Sequence, residues 1–116
     1  MEKVCNINKD VLVVRLCGDL DHHVTEQIRE EIDNRIQETR LNKIAFDFRN
    51  VSFMDSSGIG LLMGRYKKMM LYGGEVYVSN LNFSIQRIFR LSGLFRILKQ
   101  SKEIDRIVND KEATYE

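Results

Sequence analysis

Asp55-Ser56-Ser57-Gly58-Ile59-Gly60 stands where an apolar segment gives way to a helical period. The chemistry such a group supports is that of a hydroxyl at the mouth of a helix. The first helical turn has backbone N–H groups without partners and a positive dipole end. A serine there is a good N-cap, and the same place tolerates a phosphate. Capping alone does not account for the composition, because one side-chain oxygen caps a helix and this start carries two serines and an aspartate. Gly58 and Gly60 lie in the opening turn, where each glycine costs about 1 kcal/mol relative to alanine. Close approach of another backbone is the expected compensation.

The helix is expected to run from near Ser57 to Tyr72 and to stop at Gly73-Gly74. At about 100° per residue, Ile59, Leu62, Met63, Tyr66, Met69 and Met70 gather on one side, the expected core face. The opposite side presents Ser57, Leu61, Gly64, Lys68 and Leu71, with Gly60 at its margin. Solvent faces are dominated by Lys, Glu, Arg and Gln. This one is small and apolar, and is expected to dock a partner. A phosphate on Ser57 would add about −1.5 to −2 charges beside Asp55. The implied device is a local switch that docks when bare and releases when phosphorylated.

The elements that must position this hydroxyl follow from periodicity. A hairpin is expected from the runs 4–7 and 11–17 about an Asn8-Lys9-Asp10 turn, with Gly18-Asp19-Leu20-Asp21 ending the second run. Val24, Ile28, Ile32 and Ile36 mark a first helix at four-residue spacing. Residues 43–48 read as a strand that Val51-Ser52-Phe53 extends, and Glu75-Val76-Tyr77-Val78 as another. Asn82 is the expected N-cap of a third helix, and Gly93 its C-terminal glycine. Phe95-Arg96-Ile97-Leu98 suits a last short strand, and residues 102–109 a final amphipathic helix. Strands alternating with helices imply an α/β fold: a mixed central sheet of four to five strands, opening with a hairpin and then parallel, with about four helices packed on it.

In such a fold the strand-to-helix loops gather on one sheet edge. Asp21 is therefore expected near Ser57, either contacting a partner or capping the first helix. His22 and His23 are adjacent and cannot both face one metal in a regular helix, so solvated or capping roles are expected and no metal site. Cys5 and Cys17 form no metal-ligand pattern and read as two reduced, buried thiols.

Composition sets the outer bounds. The 116 residues fit one domain, taken as 1–110 with 111–116 a solvated tail, and a hydrophobic fraction of 43% supplies a core. A net charge of +1 makes no case for nucleic acid or anionic membrane. No apolar run approaches the roughly 18–20 residues of a membrane span. Residues 1–5 lack the basic and apolar sections of a secretory signal.

Asp55-Ser56-Ser57-Gly58 after a strand resembles the signature of the anti-sigma factor antagonists, members of the STAS domain family. The resemblance extends through Gly18-Asp19-Leu20-Asp21-His22-His23, Gly64-Arg65-Tyr66-Lys67 and Leu91-Ser92-Gly93-Leu94-Phe95. It is strongest to the sporulation branch, which frees sigma factor F in endospore-forming bacteria. The resemblance implies a cytoplasmic partner-switching protein, monomeric and without a cofactor of its own. The bare form binds an anti-sigma factor that is also a serine kinase, and the kinase carries the ATP. Ser57 is the implied phosphorylation site, and a PP2C-type phosphatase restores it. Asp21, Asp55, Ser56, Ser57, Gly60, Leu61, Gly64 and Lys68 are the expected partner contacts.

Rival readings are weaker. An enzyme would need a base beside Ser57, and there is no G-x-S-x-G elbow, dinucleotide or P-loop pattern. A small-ligand or nucleotide-binding module would need a pocket with convergent polar groups. An antagonist of a general-stress sigma factor differs only in the partner.

Overall fold

The computed structural model describes residues 5–110; Val4 and the tail 111–116 lie outside the described residues. Strands β1 (Cys5–Asn8), β2 (Val11–Leu20), β3 (Lys43–Met54) and β4 (Glu75–Ser79) form one sheet in the order β1-β2-β3-β4. The first pair is antiparallel and the other two are parallel. The hairpin turn is carried by Lys9 and Asp10, both at positive φ, which suits the twist of a two-residue connection.

Period-two alternation along the strands feeds two cores. Leu12, Val14 and Leu16 of β2 and Ile44, Phe46 and Phe48 of β3 face a large cluster. Helices α1 (His22–Thr39), α2 (Ser56–Leu71) and α3 (Phe83–Ser92) close it through Ile28, Ile32 and Ile36, Leu61, Leu62 and Met69, and Ile85 and Phe89. The other sheet face, Val11, Val13, Ala45 and Tyr77, packs on Ile104, Ile107 and Val108 of α4 (Lys102–Val108). Asn82 caps α3 by accepting from the Ile85 N–H at 2.9 Å, and Gly93 ends it at φ 79°. Both match expectation. Polar bonds tie α4 down: Ser79 Oγ donates to Asp105 Oδ1 at 2.5 Å, and Asn8 Nδ2 donates to the Ile107 carbonyl at 2.8 Å.

Three details differ from the sequence reading. First, β2 does not stop at Cys17. It continues to Leu20, taking up register shifts against β3 on either side of Gly18, whose φ of 75° glycine accepts without strain. Second, residues 95–98 form no strand. A single 3-10 turn at Leu94–Arg96 carries the chain back, and only Lys99 bridges to Tyr77. Third, only one thiol is buried. Cys5 lies in the core, where burial pushes its pKa up to about 11, whereas Cys17 lies exposed where the register shifts.

Candidate functional site

The site is built by the pairing of two strand ends. Leu20 and Met54 are partners at the last rung between β2 and β3, and the Asp55 N–H reaches the Leu20 carbonyl at 3.4 Å. Each strand is followed by an extended aspartate that caps a helix. Asp21 Oδ1 accepts from the Val24 N–H at 3.0 Å, and Asp55 Oδ1 accepts from the Ser57 N–H at 2.8 Å. Helices α1 and α2 therefore start side by side at one sheet edge. Of the two roles weighed for Asp21, the cap is the one its geometry displays.

Ser57 is the second residue of α2 and is not its cap. Asp55 performs that task, so the Ser57 hydroxyl is released from it. Among the described residues no hydrogen bond engages Ser57 Oγ. The side chain is half-buried and opens into a groove of about 360 Å³ between α1 and α2. From α2 the groove takes Ser57, Gly60, Leu61, Gly64 and Arg65; from α1 it takes His22, Thr25, Glu26 and Arg29.

The glycines divide by role. A Cβ on Gly58 would stand 2.2 Å from Met54 Cγ and 2.8 Å from its Sδ, so α2 sits on β3 only because residue 58 has no side chain. The close approach is by a methionine side chain, not by a backbone. At Gly60 and Gly64 a Cβ would meet nothing within 4 Å. Their helix cost is not offset by packing within this chain.

The helix face is rotated from expectation. The buried residues of α2 are Gly58, Leu61, Leu62, Arg65 and Met69, the anticipated pattern displaced by about one residue. Met63 and Met70 are 39% and 43% exposed. Leu61, expected on the surface, is 3% exposed and forms the groove floor. An ion pair accompanies the rotation. Arg65 is only 8% exposed and pairs through Nε with Asp33 Oδ1 of α1 at 2.9 Å, joining that flank of α2 to α1. Lys68 Nζ lies 3.7 Å from Asp33 Oδ2, beyond the groove lining. Burial lowers the Arg65 pKa from its ordinary value; Asp33 opposes this, and the charge of Arg29 adds to it.

The structure thus brings Ser57, Gly60, Leu61 and Gly64 together. Asp21 and Asp55 stand at the groove's head as caps, and Ser56 is exposed beside it. Glu26 and Arg29, which sequence reasoning passed over, also line the groove, as do His22, expected only in a solvated or capping role, and Arg65, to which no role was given. The available signal was indirect: Arg29 follows Ile28 of the apolar stripe, so it flanks the buried face of α1. Among the described residues no group of three or more His, Cys, Asp or Glu is placed to hold a metal, and no helix is long and apolar enough to cross a membrane.

Comparison with known proteins agrees with this geometry. The STAS domain model matches residues 2–110. An anti-sigma F factor antagonist of Paenibacillus polymyxa is 42% identical over 78% of this chain and 78% of its own length. An anti-sigma-B factor antagonist of Bacillus subtilis is 29% identical over 80% of this chain and 89% of its own. The anti-sigma factor antagonist SpoIIAA, at 35% identity, has been solved in two forms. The unphosphorylated form superposes with a TM-score of 0.74 over 87% of this chain and 88% of that one. The phosphorylated form gives 0.67 over 87% and 91%. With the family model matching nearly the whole chain and an antagonist relative at 42% identity, the chain belongs to the STAS domain family, among the anti-sigma factor antagonists.

Proposed function

We propose that this chain is an anti-anti-sigma factor. Its bare form lays the α1–α2 groove against an anti-sigma factor that is also an ATP-dependent serine kinase, and sporulation sigma factor F is released. The kinase passes the γ-phosphoryl group of ATP to Ser57 Oγ; ADP leaves and the hydroxyl proton is given up. The modified form dissociates, and a PP2C-type phosphatase returns the serine. The chain needs no cofactor, works as a cytoplasmic monomer, and catalyses nothing itself.

The observation that carries this reading is the Ser57 hydroxyl, half-buried at a groove mouth and relieved of capping by Asp55. Gly60 and Gly64 leave open space beside it for another chain's backbone. Ser56, Leu61, Asp21 and Asp55 complete the proposed contact surface, with Lys68 at its far margin. Identity of 42% to an anti-sigma F factor antagonist, against 29% to an anti-sigma-B factor antagonist, favours sigma factor F over a general-stress factor.

Incubation with ATP and the switch kinase, read by mass spectrometry, is expected to add one phosphate to the parent and none to Ser57→Ala. Modification that survives the substitution would move the site elsewhere.

A further inference from the structure

The phosphate on Ser57 needs a place to go, and the groove offers one. We propose that Arg29 crosses the groove to hold it, giving up Glu26 as its partner, so that phosphorylation closes the docking surface from within as well as charging it. The proposal rests on Ser57 being the modified residue.

Two cations line the groove, Arg29 and Arg65. Arg65 has less freedom to move: it is buried and its Nε pairs with Asp33 at 2.9 Å, although its buried Nη1 has no hydrogen-bond partner among the described residues. Arg29 is not so bound. Its Nη2 lies 3.4 Å from Glu26 Oε2, and both side chains are about half exposed, at 52% and 50%. Exposed pairs of this kind are worth about 0–1 kcal/mol and are readily exchanged. A phosphate with about twice the carboxylate's charge and three acceptor oxygens is the better partner for a guanidinium.

Direction and room also fit. A helical side chain leans toward the helix start, and the pairing with Glu26 shows the Arg29 guanidinium already displaced one turn that way. Because α1 and α2 begin together at the paired ends of β2 and β3, that direction leads toward Ser57. The space between holds Gly60, whose missing Cβ leaves nothing within 4 Å. Arg29 also feels Arg65, since its charge adds to the lowering of the Arg65 pKa. An anion between them relieves that repulsion. Asp55, which caps α2 beside Ser57, and Glu26, which lines the groove, are the acidic groups a phosphate would meet, and Arg29 is the cation that offsets them.

The test uses the full chain with phosphoserine placed at position 57 by genetic-code expansion, without any kinase. Phosphorus NMR then follows the phosphate's second ionisation. In the parent it is expected below the roughly pH 6 of an ordinary phosphoserine. Arg29→Gln is expected to raise it by about half a unit or more, with Arg29→Lys between the two. Arg29 is surface-exposed, so neither variant should disturb folding. An Arg29→Gln titration that superimposes on the parent's would overturn the proposal. No kinase takes part, so this failure is distinct from a failure of the kinase to modify Ser57.

Discussion

Ser57→Asp will bind the switch kinase at least a hundredfold more weakly than the parent, about 3 kcal/mol, yet unfold at the parent's urea midpoint. The two halves of this expectation come from the same position. A carboxylate in the first turn of α2 sits at the positive end of a 16-residue helix, which favours it by a few tenths of a kcal/mol or more. The side chain is half-buried over an open groove, so nothing within the chain must move. A docked partner, however, would take that charge out of water, which costs several kcal/mol without a paired cation. Isothermal titration calorimetry beside urea denaturation separates the effects. Equal affinity for both proteins would mean that charge at residue 57 is not what releases the partner.

Gly64→Leu will do the reverse of an ordinary core lesion: the free protein gains stability while the complex is lost at least thirtyfold, about 2 kcal/mol. Position 64 lies within α2, where leucine is favoured over glycine by roughly 0.8 kcal/mol. A Cβ there meets nothing within 4 Å. The new side chain fills the groove that the partner's backbone would otherwise enter. Gly58 makes the contrast, because a methyl group there meets Met54 at 2.2 Å and overpacks the junction of α2 with β3. A Gly64→Leu protein that melts higher and still binds as tightly as the parent would show that the groove is not the docking surface.

Much of the fold was legible because it follows from local periodicity. The four-residue spacing of Val24, Ile28, Ile32 and Ile36 marks α1, and Asn82 and Gly93 bracket α3 with side-chain and backbone chemistry that acts over one turn. The rotation of α2 was not legible in the same way. Hydropathy puts Arg65 outside and Met63 inside; in the structure the order inverts, and the buried Arg65 pairs with Asp33 on another helix, a partner that spacing along α2 does not reveal. Phe95 to Leu98 misled for a different reason: a run of four apolar-rich residues suits a strand or a 3-10 turn equally, and the packing of Leu94 and Leu98 decides.

The site divides along the same line. Ser57, Gly60 and Gly64 stand out on one helix by composition alone. His22, Glu26 and Arg29 become their neighbours only when the parallel pairing of Leu20 with Met54 sets two helix starts together. The alternation of strands and helices brought Asp21 near Ser57, but not the residues further along α1 that face the groove.

Amide shifts of the isotope-labelled protein, recorded as the kinase is added, give the most direct view of the surface in use. The bare form should respond at residues 22–29 and 56–64, with Phe83–Ser92 and Lys102–Val108 unmoved, and the response should vanish when residue 57 carries phosphate. Shifts centred on α3 or α4, or an unchanged pattern in the phosphorylated protein, would contradict a switch built on that one hydroxyl.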